Sequence, residues 1–303
     1  MKKIMIAVDA GGSKTKVCGF LPNATKVYES LGGPGAPLVL AGEPQFLFYE
    51  QVKQAVTSLQ EDYEITIVQL GISGLGIVPD VPKQEAALSQ YLGVPVSMVN
   101  DALIGLYSLL GIPKAETILV VAGTGSSVIG FKDGKTLLMG GFGHLLTEKG
   151  SAFTLVKTLI SQIIEKYEQR LPFTRLEKRF MELNGISSVY DFKPFVYLKN
   201  KAKMADYAKF ISAEASNNDP DAIKILKQAG KDLAYFVIKT HQHLNMQASF
   251  WLGFRGSFIQ NALFVKEELM SCLKNDGLKP RLVEEENDSV IGAYYLAKQK
   301  GLI

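Results

Sequence analysis

Residues 2–20 read KKIMIAVDAGGSKTKVCGF. KKIMIAVDA (2–10) predicts a buried strand, GGSKTK a turn and VCGFL a second strand. Glycines in such a turn let the backbone come close to a ligand. Exposed N–H groups, together with Ser13 and Thr15 hydroxyls, form an anion nest suited to phosphates. Lys14 adds a cation and Asp9 a carboxylate at the strand end. A carboxylate beside a phosphate is repulsive unless a cation lies between them. Mg²⁺ fits that place, since it takes carboxylate, water and phosphate oxygens together. The same device recurs about 113 residues later as ETILVVAG, GTGSS and SVIGF, now without a carboxylate.

Between the two devices, PQFLFYEQVKQAVTSLQ has helical spacing, with Phe46, Val52, Val56 and Leu59 on one face. EITIVQLGI is a strand that ends at the small-residue turn SGLG. DVPKQEAALSQYLG is a helix stopped by Gly93. VPVSMVN is a short strand, and DALIGLYSLLG is a helix that Asp101 is placed to cap. After the second turn, SVIGFKDGKTLLMG is a hairpin with a Lys-Asp-Gly signal. GGFGHLLTEKGS is a glycine-rich loop and SAFTLVKTLISQIIEKYEQR a long helix. Residues 173–246 are almost wholly helical, with breaks near Pro194 and at NNDPD. SFWLGF is a strand, SFIQNALFVKEELMSCLK one helix, KPRLVEE a last strand and DSVIGAYYLAKQK a closing helix.

Composition narrows the function. The 303 residues carry 33 basic and 30 acidic side chains, a net +3. That balance excludes the concentrated basic surface of a nucleic-acid binder. With 47% apolar residues the chain can bury a large core. Two cysteines, Cys18 and Cys272, suit a reducing cytoplasm and no disulfide framework. Asp9 interrupts the first apolar run too early for a signal peptide, and no run approaches the length of a membrane span. The phosphate turns are neither a P-loop nor a dinucleotide fingerprint, and no nucleophile elbow is present.

VDAGGSKTK, GISGLG, NDA, VVAGTGSS, GGFGHLLTEKGSAF and DSVIGAYYLA resemble, in that order, the BadF/BadG/BcrA/BcrD ATPase family. The family includes N-acetylglucosamine kinases and lies in the actin/hexokinase/Hsp70 superfamily. The resemblance spans nearly the whole chain. It implies an α/β fold of two ribonuclease-H-like domains, residues 1–113 and 114–303, with ATP and Mg²⁺ in the cleft between them. A helical insertion would occupy about 155–245, and the packing of the helix 288–303 on the first domain is left open.

Residue by residue, the resemblance implies that Asp9 serves the metal. Gly11, Gly12, Ser13, Lys14 and Thr15 form the first phosphate loop; Gly123, Thr124, Gly125 and Ser126 form the second. Arg255, Gly256 and Ser257 occupy the adenosine segment. Asp101 matches the catalytic aspartate, which takes the proton of the attacking sugar hydroxyl. Ser73, Gly74, Gly143, His144 and Glu148, with Asp101, face the sugar. A single chain or a homodimer would serve, the homodimer being the commonest assembly.

This sequence also departs from the family pattern. Ala36 stands where an asparagine is expected. Thr147-Glu148-Lys149 replaces Gly-Asp-Glu, and Arg255 replaces a glycine. Arg255 either stacks on adenine or closes the base pocket. Lys149 would suit an acid-bearing sugar such as N-acetylmuramic acid. The expected activity is therefore ATP-dependent phosphorylation of an amino sugar. Two alternatives stand beside it: an ATPase or sugar-sensing regulator with an altered pocket, and the ATPase activator of a radical dehydratase.

Overall fold

A computed structural model of the chain describes residues 1–12, 14–40, 43–113, 115–283 and 287–303. Ser13 of the first loop and Lys114, at the expected domain boundary, lie outside the described residues. Strand β1 (Lys2–Ala10) is followed by β2 (Thr15–Phe20), β3 (Lys26–Gly32), β4 (Leu38–Leu40) and β5 (Glu43–Gln45). Next come α1 (Tyr49–Leu59), β6 (Tyr63–Ile72), α2 (Val81–Leu92), β7 (Val96–Asn100) and α3 (Asp101–Leu110). The chain continues through β8 (Thr117–Ala122), β9 (Ser126–Lys132) and β10 (Lys135–Gly140). A helical stretch follows: α4 (Ala152–Glu168), α5 (Arg175–Leu183), α6 (Phe192–Tyr197), α7 (Lys201–Asp206), α8 (Ala208–Ser216) and α9 (Pro220–His243). The chain then forms β11 (Trp251–Arg255), α10 (Ser257–Asn261), α11 (Leu263–Asn275), β12 (Arg281–Leu282) and α12 (Ser289–Gln299).

Two five-stranded sheets result, ordered β3-β2-β1-β6-β7 and β10-β9-β8-β11-β12. In each, the first strand of its set is central, with its two hairpin partners on one side. This is the α/β, ribonuclease-H-like order, present twice. The chain divides into two compact units. One holds Met1–Leu119, Phe131–Gly134 and Leu282–Ile303; the other holds Val120–Gly130 and Lys135–Arg281.

In unit 1, β1 pairs antiparallel with β2 and parallel with β6, and β6 pairs parallel with β7. Strand β1 is buried on both faces, so it reads as a continuous apolar run rather than an alternation. Ile4, Ile6, Val8 and Ala10 meet Val52, Val56 and Leu59 of α1 and Leu88 and Leu92 of α2. Met5 and Ala7 face the opposite way, toward Ile104 and Tyr107 of α3 and Val290, Ala293, Tyr294, Leu296 and Ala297 of α12. Each fully buried Val or Leu contributes about 1.5–3 kcal/mol, so α12 is a structural wall of the first sheet. The Tyr294 hydroxyl also donates to the Pro22 carbonyl at 2.7 Å.

In the second sheet, the hairpin β9–β10 turns at Asp133 and Gly134, with φ of 49° and 76°. Two consecutive left-handed residues are what the tight hairpin signal Asp-Gly supplies. The long helix α9 starts at Pro220, capped by Asp219, whose Oδ1 accepts from Asp221 and Ala222 N–H at 3.1 Å each. Helix α11 lies close against α9: a methyl on Gly230 would meet the Val265 carbonyl at 2.5 Å.

Local details differ from the sequence reading. Pro194 itself lies in the first turn of the short helix α6, which tolerates proline, and the breaks fall on either side of it, at 184–188 and 198–200. The expected helix from Ser257 is two helices, parted at Ala262, whose ψ of 84° is not helical. The last strand is reduced to Arg281–Leu282, and Glu284–Glu286 lie outside the described residues. Asp101 does not cap α3: Asn100 does, its Oδ1 accepting from Ala102 N–H at 2.9 Å. Either residue is a good cap; the helix begins one residue earlier than a cap at Asp101 would place it, so Asp101 falls on the first helical turn.

Candidate active site

The register of unit 1 gathers its candidate residues. Ala10 of β1 lies beside Ile72 of β6, and Ile72 beside Asn100 of β7. The three parallel strands end level, so Gly11, Ser73 and Asp101 follow them side by side. The carboxyl edge of such a sheet is where ligands of open α/β folds bind. Ser73 N–H donates to the Ala10 carbonyl at 2.9 Å, which ties the second strand end to the first. The Ser73 hydroxyl hydrogen-bonds the Asp101 carboxylate. Burial pushes the Asp101 carboxyl above its ordinary value, and the Ser73 hydroxyl and the Ala102 N–H pull it partly back. A carboxylate so placed is a stronger base than one in water, and this suits proton removal from an alcohol.

The first loop is tight. Gly11 N–H donates to the Lys14 carbonyl at 2.9 Å, and the Gly11 carbonyl accepts from Gly35 at 2.8 Å. Gly12 has open space around it and Lys14 is exposed. Gly35 sits so close that a methyl there would lie 2.4 Å from Thr15 Oγ1. Thr15 is fully buried beneath it, and its hydroxyl has no hydrogen-bond partner. Pro37 lies 3.9 Å from the Cβ position of Gly74. Ala36 therefore stands between two anchor points, one on each strand end.

Asp9 is half-buried one residue before the end of β1, opposite Lys16 in the sheet. No group of three His, Cys, Asp or Glu able to hold a metal occurs among the described residues. A cation at Asp9 would therefore draw its remaining ligands from water and phosphate. That is the habit of Mg²⁺, which needs only one or two protein carboxylates. The orphaned Thr15 hydroxyl nearby is a further hard oxygen, so the donor set fits.

In unit 2 the second loop closes through Gly123 N–H to the Gly125 carbonyl, 2.9 Å. The first N–H groups of α4 are spent on it: Ala152 donates to Gly123 at 3.0 Å and Phe153 to Thr124 at 3.4 Å. Ser126 is buried and donates to the Lys149 carbonyl at 2.8 Å, so its hydroxyl ties two loops together. Gly256 has φ of 101°, and a methyl on it would strike the Ala122 carbonyl at 2.5 Å. Only glycine lets that backbone lie against the strand leading into the turn. Arg255 is half-buried and Ser257 exposed beside it.

The glycine-rich loop brings Gly143, His144 and Glu148 close in sequence, and α4 fixes it. Thr154 Oγ1 donates to the Glu148 carbonyl at 2.8 Å, and Ser151 caps the helix. The Gly143 carbonyl accepts from Thr147 at 2.9 Å. His144 packs edge-on to Phe153, ring centres 4.9 Å apart. Burial and the nearby Lys201 and Lys157 charges lower its pKa, against the opposing pull of Glu148, so it is neutral at pH 7. Lys149 is exposed, and its charge acts on Asp232 of α9. The buried carboxylate of Glu148 is bridged by Lys201, with Nζ 2.7 Å from Oε2. Motif reading missed Lys201 altogether, because its partner is 53 residues away. It also missed Asn100, which the Asn-Asp pair at a strand-to-helix junction does signal.

A glycine turn after the first strand of each sheet, with a carboxylate where the third parallel strand of unit 1 ends, defines an ATPase of the actin/hexokinase-like fold. The chain belongs to the BadF/BadG/BcrA/BcrD ATPase family, whose model matches residues 6–297. An N-acetylmuramic acid/N-acetylglucosamine kinase of Clostridium acetobutylicum is 26% identical over 306 residues, covering 98% of this chain and 99% of its own. An N-acetyl-D-glucosamine kinase of Dictyostelium discoideum is 24% identical, covering 98% of each. A Porphyromonas gingivalis structure, provisionally named an N-acetylglucosamine kinase, superposes with TM-score 0.70 at 20% identity over 99% of both chains. A Streptomyces griseus ROK family glucokinase, in complex with glucose and AMPPNP, gives 0.59 at 16% identity over 98% of this chain and 99% of its own.

Proposed function

We propose that this protein is an ATP-dependent kinase that phosphorylates a hydroxyl of an amino sugar, N-acetylglucosamine or N-acetylmuramic acid. The observation that carries the reading is Asp101, held by Ser73 at level strand ends and pushed toward higher basicity. Phosphoryl transfer asks mostly for positioning and charge neutralisation, with one carboxylate at the nucleophile. The Gly11–Thr15 turn of unit 1 and the Gly123–Ser126 turn of unit 2 are each suited to phosphate, and in unit 2 Gly256 with Arg255 borders the nucleoside. Asp9 would hold Mg²⁺, which offsets phosphate charge. Asp101 accepts the sugar hydroxyl proton as the oxygen attacks the γ-phosphorus. Ser73 and Gly74 of unit 1, and Gly143 and His144 of unit 2, are each suited to sugar hydroxyls, His144 as a neutral ring that both donates and accepts. The products are ADP and a sugar phosphate. Among the described residues no helix is long and apolar enough to cross a membrane.

The altered loop favours one second reading, a binding-only sensor. Glu148, expected to accept from the sugar, is already engaged by Lys201. The dehydratase-activator reading fits poorly. Cys18 is buried in the core of unit 1, and burial pushes its thiol up to about 11, which makes it a poor cluster ligand. ADP release from Mg-ATP over N-acetylglucosamine, N-acetylmuramic acid, N-acetylmannosamine, glucosamine and glucose separates these readings. Sugar-dependent release is the expected result. Release that no sugar stimulates would overturn the kinase reading in favour of the sensor.

Ser73 gives a sharper prediction. Its hydrogen bond favours the charged form of Asp101, so Ser73→Ala raises the Asp101 pKa further. A base must be deprotonated to act, so the acid limb of kcat/KM moves to higher pH in the variant. A pH–rate profile whose acid limb stays in place, or moves down, would contradict the contact.

A further inference from the structure

The Glu148–Lys201 pair lies against the second phosphate turn. Lys201 Nζ is 2.9 Å from Glu148 Oε1 and 2.7 Å from Oε2, so one ammonium spans both carboxylate oxygens. A methyl placed on Gly125 would lie 2.8 Å from Glu148 Oε1 and 2.9 Å from Lys201 Nζ. Both charges therefore crowd Gly125, the last residue of that turn before β9. Glu148 is only 8% exposed, so water screens its charge poorly. An uncompensated carboxylate there would repel the polyphosphate that the turn is built to take. Lys201 comes from α7 in the helical stretch, outside every motif, and no other cation is paired with Glu148 among the described residues.

We propose that Lys201 is a positioning residue for the nucleotide: it cancels the Glu148 charge and so makes the second glycine turn competent to hold phosphate. The proposal rests on the reading of that turn as a nucleotide site. It deepens that reading by assigning the helical stretch a direct electrostatic part in it. It also accounts for a carboxylate beside a phosphate turn in a chain where Thr147, Glu148 and Lys149 all depart from the expected Gly-Asp-Glu.

Calorimetric titration of Mg-ATP and Mg-ADP, without sugar, tests it on four proteins: wild type, Lys201→Met, Glu148→Gln and the double variant. Lys201→Met is expected to weaken nucleotide binding tenfold or more. Glu148→Gln binds at least as tightly as wild type, and the double variant returns to within threefold of Glu148→Gln. Lys201→Arg keeps most of the affinity. A folded Lys201→Met that binds as wild type does overturns the proposal, and so does a double variant as weak as Lys201→Met alone. A purely structural lysine would not be rescued by removing the charge of Glu148. Should Lys201→Met not fold, the double variant carries the test: it must bind within threefold of wild type, and tenfold weaker binding overturns the proposal. Wild-type protein that binds no nucleotide would instead overturn the underlying reading of the turn.

Discussion

Asp101→Asn is expected to abolish sugar phosphorylation, lowering kcat by about 10²–10⁴-fold, while the protein keeps its fold. Asparagine has nearly the same shape, and Asn100 still caps α3 through Ala102 N–H. What is lost is the lone pair that receives the hydroxyl proton. The stability outcome has a definite sign. The folded-state pKa of Asp101 is raised, with burial the largest cause. Folding then costs free energy at pH values above that raised pKa, where the carboxylate is charged, and the cost disappears below the ordinary carboxylate value. At pH 7 the variant escapes this cost, so its melting temperature equals or exceeds that of wild type. Measured together, unchanged ADP release or a sharp drop in melting temperature would remove Asp101 from its assigned role.

Gly292→Ala is expected to be the most damaging single methyl in unit 1. A Cβ there would lie 1.8 Å from the Ile104 carbonyl oxygen, 2.7 Å from its carbon and 2.8 Å from Ser108 N. All three are backbone atoms of α3, so no rotamer change relieves the overlap. Overpacking costs typically 1–3 kcal/mol and more where the backbone must move. About 3 kcal/mol corresponds to a melting temperature lower by about 6–12 °C in a cooperative unit of roughly 150–250 residues. Because α3 begins at Asp101, its displacement also lowers kcat. Gly76→Ala is the control, since Gly76 has open space and no unusual φ. Differential scanning fluorimetry on both variants decides the matter: equal melting temperatures would mean that α12 and α3 do not pack as described.

The parts of this protein that were legible in its sequence are those whose signal is local. The buried run of β1 and the turn after it, the Gly93 stop of α2, and the Asp133-Gly134 hairpin all depend on neighbouring residues. Asp101 was legible as a candidate site residue, but the cap of α3 was not, because two good capping residues in a row leave open which of them starts the helix. The burial of Thr15 under Gly35 and the bridge from Glu148 to Lys201 are tertiary. Nothing in the spacing of those residues encodes them. The split at Ala262 and the shortness of β12 reflect packing that overrides a continuous helical or strand pattern.

The position of α12 has a consequence for how the protein is made. Its side chains close the face of the first sheet that Met5, Ala7, Phe20 and Ile67 present. On the ribosome those residues emerge early, whereas their cover, residues 289–299, is translated long after them. A nascent chain therefore carries an open apolar face for most of its synthesis, a natural target for chaperones. Asp101 sits at the head of a helix whose own support, through Gly292, arrives only with α12. Chains cut short before residue 289 would reach the cell's proteases rather than its ATP pool, so an incomplete protein is disposed of instead of turning over nucleotide without purpose.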